Sequence, residues 1–191
     1  MALLIAGLIL FLGPHSIRIF ADGWRTKIID DKGKKTWKII YSLVSLAGLI
    51  LVVYGFGESR ANPVFLWNPP VWTRHAAALL VLVAFVLLTA ADFPRNKIKQ
   101  KLGHPMYLGV KTWAFAHLIS NGRLGDVLLF GSFLIWAIAG FSAAKRRDRA
   151  QGTVYPEGTM QGTIGVVVVA FIAYGIFSMY LHRLLIGVPP F

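Results

Sequence analysis

Ionisable side chains inside apolar stretches cost free energy and often mark a functional site in a membrane protein. Five such side chains stand out in this chain, and they are His15, Arg18, Asp92, Lys111 and His117. The chain contains no cysteine, which excludes iron–sulfur clusters and thiolate-bound zinc. Any bound metal would therefore be held by histidine, methionine, tyrosine or a carboxylate.

The first of these histidines begins a polar stripe. His15, Arg18, Asp22 and Arg25 step by three, four and three residues, which predicts one face of the first helix. Arg18 could simply extend to lipid phosphate and pair with Asp22. His15 lies deeper and follows Pro14, whose missing helix hydrogen bond loosens the backbone, so both a structural and a functional role stay open for it.

Two further histidines lie in the segment "GHPMYLGVKTWAFAHLISNG". His104 and His117 are thirteen residues apart and therefore about 140° apart around a helix axis. Unless the helix breaks at Pro105, only one of them can share a metal centre with His15. His104 precedes proline at a helix entrance, where capping is an ordinary role.

This set of residues suits a haem held between helices, which requires axial histidines, an apolar pocket and basic residues near the propionates. His15 and His117 would be the axial ligands of the iron, with His104 as the alternative to His117. Trp113 and Phe115 would line the pocket, and Arg18 would meet a propionate. From spacing alone this is a hypothesis.

The composition predicts the elements that position these residues. Hydrophobic residues make up 56% of the 191 positions and charged residues 15%, in long apolar blocks that predict an all-α, polytopic transmembrane bundle forming a single domain over 1–191. Five segments are long enough to cross a bilayer, and a sixth, His104 to Ser120, is shorter and counts as a short span. The five are Ala2 to Ala21, Trp37 to Gly57, Val71 to Phe93, Leu124 to Ala144 and Met160 to Val188.

The distribution of charge predicts the orientation. Lys and Arg concentrate in alternate loops, which the positive-inside rule assigns to the cytoplasm, so six spans would leave the N and C termini on the non-cytoplasmic side. The same rule explains the net charge of +12 without nucleic-acid binding. In this topology His15 lies in the inner part of its span and His117 toward the outer end, so depth alone favours His104 as the partner of His15.

Small residues predict a close helix contact in the second span. Ser42, Ser45 and Gly48 recur at helical spacing within "YSLVSLAGLILVVYGFG", and they would form a face on which another helix can pack.

Several blocks in order resemble one family. "LFLGPHSIRIF", "YSLVSLAGLILVVYGFG", "GHPMYLGVKTWAFAHLISNG", "RLGDVLLFGSF" and "AAKRRDRAQG" are similar to those of the bacterial NnrU family, across nearly the whole chain. The resemblance implies a protein of the bacterial inner membrane that is linked to denitrification, that is, to nitrite and nitric oxide metabolism.

NnrU proteins are in turn similar to zeta-carotene isomerases, membrane enzymes that use haem b to isomerise a carotenoid precursor. The histidine before a serine and the histidine of a W-x-x-A-H block are the iron ligands there, which implies His15 and His117 here. The isomerase has a cysteine where this chain has Ala114, so an exchange of ligands of that kind is not expected. The implied partners are membrane lipid and either a hydrophobic small molecule or nitric oxide.

Two other functions remain open. "HP-x-Y-x-G" after a basic turn also resembles isoprenylcysteine and phospholipid methyltransferases, which bind S-adenosylmethionine, although Asp148 and Glu157 are not the adjacent carboxylates those enzymes use. The chain could also be a non-enzymatic haem sensor or an assembly subunit.

Overall fold

The computed structural model describes residues 1–190, which form helices joined by short segments. The all-α class is confirmed, since no strand occurs within these residues. The helices are α1 (Ala2–Phe20), α2 (Asp22–Lys32), α3 (Lys34–Ala61), α4 (Trp72–Asp92), α5 (Lys97–Leu102), α6 (Pro105–Ser120), α7 (Leu124–Gln151), α8 (Met160–Ile176) and α9 (His182–Ile186), with a π-helical turn at Phe177–Leu181 between the last two.

Five helical stretches are long and apolar enough to cross a membrane: α1, α3, α4, α7 and the continuous run Met160–Ile186. Many of their large apolar side chains are exposed, as expected of surfaces that face lipid. Helix α6 has 16 residues and is about 24 Å long, which is shorter than a typical hydrocarbon core. The chain is therefore a multi-pass membrane protein with one short helix among its longer spans.

The connecting segments lie at two ends of the bundle. At one end, an isolated bridge joins Phe65 to Arg123, and the N-terminal amine lies 3.1 Å from Glu58. At the other end, which we call the basic end, a bridge joins Asn96 to Thr159. Since α6 begins in the segment beside Asn96 and ends beside Arg123, it runs from the basic end to the opposite end.

Helices α1 and α3 approach each other closely because glycines face backbone. A Cβ on Gly48 would lie 2.5 Å from the Phe11 nitrogen, and a Cβ on Gly7 would lie 2.5 Å from the Val52 nitrogen. The predicted small-residue face is confirmed at Ser45 and Gly48, which are buried. Ser42 is exposed, so its inclusion was wrong, and the buried face continues toward Ala61 instead of toward the basic end.

Helix α7 is the centre of the bundle. Both α1 and α6 pack on it, and α4 joins α6 to α8 on one side. Within residues 1–190, the backbones of α1 and α6 do not approach each other closely, although Leu4 and Leu8 of α1 belong to the same buried cluster as Ala114 of α6. Phe133 of α7 contacts aromatic rings on both of these helices.

Helix boundaries differ from the predicted ones at the basic end. The residues after the first span form α2, and the break at Ala21 (φ −138°, ψ 43°) means that the predicted stripe does not follow one helix. Helix α7 continues to Gln151 and not to Ala144, because Lys, Arg and Ala favour helix and Gly152 ends it in the left-handed conformation. The basic residues of this region thus lie on a helix and not in a loop.

Candidate functional site

His15 occupies a defined orientation beside α3 and α7. Its Nδ1 lies 2.6 Å from the Phe11 carbonyl oxygen one turn earlier, and an Nδ1–H donating to that oxygen leaves the Nε2 lone pair available. The ring stacks on Phe11 at 4.5 Å and lies 5.1 Å from the ring of Tyr41 and 6.1 Å from that of Trp136. A metal-bound histidine is commonly oriented by such a bond through its other nitrogen.

Two buried polar atoms lie at the same level of the bundle. The indole Nε1 of Trp136, whose ring contacts His15, has no hydrogen-bond partner within residues 1–190, and neither has the Ser45 hydroxyl, one turn from Tyr41 on α3. An unpaired buried donor costs free energy, about 1–3 kcal/mol each. These donors fit a site that receives a polar or metal-bearing group beside His15.

His117 has the same local hydrogen bond in a different setting. Its Nδ1 lies 3.0 Å from the Trp113 carbonyl oxygen, so the Nε2 is again the free nitrogen. The ring lies 4.4 Å from that of Phe130 and 5.3 Å from that of Trp113. These two rings also contact each other at 5.1 Å, so the imidazole and the two rings form one cluster.

Aromatic side chains also fill the space between the two histidines. Phe133 of α7 lies 5.8 Å from Phe11 and 5.6 Å from Trp113, which joins the two clusters. His15 contacts α7 at Trp136 and His117 contacts it six residues earlier, a difference of about 9 Å along the axis.

The fit to haem follows from these distances. Two imidazole nitrogens on one iron lie about 4 Å apart, since each metal–nitrogen bond is about 2 Å. In this packing aromatic rings lie between His15 and His117, so their pairing on one iron stays a prediction. His15 by itself does fit an axial ligand, because its Nε2 is free and unpaired polar atoms lie beside it.

The other residues that were predicted to contact the haem lie in different parts of the bundle. Trp113 belongs to the cluster around His117, whereas Phe115 is 48% exposed and lies on the opposite side of α6. Arg18 is exposed one turn beyond His15, and its carbonyl oxygen accepts a 3.0 Å hydrogen bond from Arg147 Nη1. Arg18 therefore lies on the His15 side of the bundle, at its basic end.

His104 belongs to a separate polar cluster at the basic end. Its Nε2 lies 2.9 Å from Asp148 Oδ2 and 3.0 Å from the Tyr155 hydroxyl, which donates a 2.9 Å hydrogen bond to the same carboxylate oxygen. Burial and the neighbouring carboxylate raise the pKa of Tyr155 to about 12. His104 is therefore hydrogen-bonded to α7 and to the segment that follows α7, and not to His15.

Sequence reasoning did not identify Tyr155 or Trp136 as site residues. Tyr155 is 51 residues from His104, so no local pattern connects them. Trp136 lies in a plainly apolar span and becomes notable only because its nitrogen is buried without a partner.

The model of the NnrU protein family matches residues 3–190 of this chain. The chain belongs to the NnrU family. No curated protein and no solved structure matches it. The resemblance seen in the sequence blocks is confirmed, and the matched range of this NnrU protein includes all three histidines discussed above.

Proposed function

We propose that this NnrU protein is an integral membrane haem b protein in which His15 is the axial ligand of the iron. The observation that carries the proposal is the His15 ring, fixed through Nδ1 by the Phe11 carbonyl with its Nε2 free beside the unpaired Trp136 nitrogen. The first-helix histidine of the similar isomerases supports the same residue. Arg18, one turn away, is the cationic side chain proposed to meet a propionate.

A bound b haem supplies an iron centre that can take up a diatomic ligand or one electron. The chain's own residues would hold the imidazole in one tautomer, exclude water with the rings of Phe11 and Tyr41, and offer the Trp136 N–H as a hydrogen-bond donor. With His15 as its protein ligand, such an iron centre would be able to take up nitric oxide, in accordance with the proposed link to denitrification.

His117 keeps a role as the second predicted ligand. Joining it to His15 on one iron requires the rings of Phe11, Phe133 and Trp113 to separate. Six-coordinate iron would therefore indicate that these rings have separated. Five-coordinate iron would indicate that they keep the packing described above.

We further propose that the five long helical stretches and the shorter helix α6 all cross the bacterial inner membrane. The basic end would lie in the cytoplasm and both termini on the other side, because Lys and Arg concentrate at that end. Helix α6 runs between the two ends, which supports counting it as a crossing.

Isomerisation of a hydrophobic substrate taken from the bilayer remains the enzymatic alternative, and a haem sensor or assembly subunit the non-enzymatic one. The methyltransferase alternative has less support. The carboxylate of Asp148, beside the HP-x-Y-x-G block, is already bonded to His104 and Tyr155, and the surrounding side chains are cationic.

The first experiment is a visible absorbance spectrum of the detergent-purified protein, oxidised and reduced, with a pyridine haemochrome assay for stoichiometry. We expect about one haem b per chain and a broad high-spin ferrous spectrum typical of five-coordinate iron. Sharp ferrous α and β bands would instead assign two axial ligands. Absence of haem after haem-replete expression would reject the proposal.

Binding of nitric oxide to the reduced protein separates the functional alternatives. A stoichiometric ferrous nitrosyl spectrum, with no conversion of cis-carotenoid under the same conditions, is the expected result. Conversion of the carotenoid without nitric oxide binding would favour the isomerase.

A further inference from the structure

Two adjoining clefts lie along the outer face of α7 at the basic end. The first has a volume of about 370 Å³ and is lined by Phe141, Ser142, Lys145, Arg146 and Arg149. The second has a volume of about 330 Å³ and shares Lys145 and Arg149 with the first. It is bounded on its far side by Lys101 and Tyr155.

The cations of these clefts form no close ion pair with a carboxylate. Among the ion pairs formed within residues 1–190, none includes Lys101, Lys145, Arg146 or Arg149. The one acidic side chain that lines the second cleft, Asp148, is bonded to His104 and Tyr155. Four cations and one carboxylate around two connected clefts thus leave a net positive charge for an anionic ligand.

The clefts also extend from polar to apolar surroundings. Phe141, at the membrane-facing end, is one helical turn before Lys145, and the distance from Phe141 to Arg149 along α7 is about 12 Å. The Lys111 ammonium group of α6 lies 5.8 Å from the Phe141 ring. A lysine there places a charge beside an apolar wall, an arrangement that suits a lysine whose ammonium group extends to lipid headgroups.

We propose that these two clefts form a binding site for an anionic phospholipid, with the headgroup between Lys145, Arg146 and Arg149 and an acyl chain along Phe141. Charge complementarity and the position of the clefts at the membrane surface both favour this ligand. The site is independent of the haem proposal, since none of its residues contacts His15 or His117.

A lipid explains features that a free phosphate does not. An aqueous anion would use the cations but would have no contact with Phe141, whereas a phospholipid uses both. The hydrogen bonds among Tyr155, His104 and Asp148 hold the segment after α7 against the cleft and so keep its shape.

The test uses native mass spectrometry of the purified full chain titrated with dioleoyl phosphatidylglycerol or dioleoyl phosphatidylcholine. We expect the anionic lipid to bind its first site about a hundredfold more tightly than the zwitterionic one, because three cations near the headgroup each attract its charge. The triple variant K145Q/R146Q/R149Q should remove this preference.

The matched control is K32Q/K34Q/K35Q, which removes the same charge from exposed lysines in and beside α2 and α3. The control should keep the preference for phosphatidylglycerol within about twofold of the parent. An equal loss in both triple variants would show that diffuse charge and not the clefts attracts lipid, and would overturn the proposal. Thermal unfolding of each variant, equal to the parent, verifies folding.

The variant F141A distinguishes a lipid from free phosphate. It should weaken binding of phosphatidylglycerol several-fold because the acyl chain loses its apolar wall. If millimolar inorganic phosphate displaces the lipid completely, and F141A binds the lipid as the parent does, the ligand is a soluble phosphate and the lipid proposal is wrong.

Discussion

His15 and His117 have the same local structure and different surroundings. Each donates its Nδ1–H to the carbonyl of the residue four positions earlier, so helix geometry sets the same tautomer in both. Beside His15, Trp136 leaves a buried nitrogen without a partner, whereas the ring of His117 lies 4.4 Å from that of Phe130. The comparison teaches that a free ligand nitrogen is a local property, while the polar or apolar surroundings of that nitrogen are a tertiary one.

The largest expected effect comes from removing each imidazole in turn. His15→Ala should lower haem content per chain at least about tenfold, because the axial bond and the oriented ring are lost together. His117→Ala should retain most of the haem, as should His75→Ala and His182→Ala. The pyridine haemochrome assay measures all four variants. If His117→Ala loses as much haem as His15→Ala, both histidines ligate iron and the comparison fails.

Next in size is a change that displaces α1 and leaves α6 in place. Gly48→Ala introduces a Cβ 2.5 Å from the Phe11 nitrogen, one turn from His15, and neither backbone can move without separating the helices. We expect a loss of about 3 kcal/mol in stability and reduced haem binding. Thermal unfolding in detergent measures the first and haem titration the second.

The control for this variant lies on the same helix. A Cβ on Gly57 meets nothing within 4 Å, so Gly57→Ala should be neutral or slightly stabilising. Equal destabilisation by both changes would contradict the role of the contact with α1, because Gly→Ala raises helix propensity at both positions.

A smaller effect is expected from the ring that lies between the two histidines. Phe133→Ala removes the side chain that joins Phe11 to Trp113, at a cost of about 2 kcal/mol because Phe133 is only half-buried. If ring packing keeps His117 from the iron, this variant should shift the haem toward a six-coordinate, low-spin spectrum. Phe115→Ala, on the exposed side of α6, should change neither property. An unchanged spectrum in Phe133→Ala would show that more than this ring separates the histidines.

The smallest expected effect concerns the third histidine, at the basic end. The pKa of Tyr155 is raised from 10 to about 12, so its neutral hydroxyl stabilises the fold below pH 10, and this stabilisation is lost as the pH rises through about 12. Tyr155→Phe removes the hydroxyl and should lower stability at neutral pH by about 1 kcal/mol. Its unfolding temperature should also fall less than that of the parent between pH 10 and 12. Parallel curves for the two proteins would contradict the role of this hydrogen bond.

The sequence by itself determined the all-helical membrane class, the position of the long spans and the family. These follow from apolar blocks of sufficient length and from ordered motif blocks, which are local properties of the chain. It also identified His15 and His117, because imidazoles within apolar segments are rare enough to notice. It missed α2 and the helical extension to Gln151, since polar segments carry no periodic signal as strong as an apolar span.

Only the tertiary structure decided which of these groups meet. Phe133 of α7 contacts both α1 and α6, so aromatic rings lie between His15 and His117, and no spacing along the chain encodes that arrangement. The same holds for Tyr155, which reaches His104 across 51 residues. Contacts between distant segments depend on how the helices pack as a whole, because each helix can present its face to several alternative neighbours.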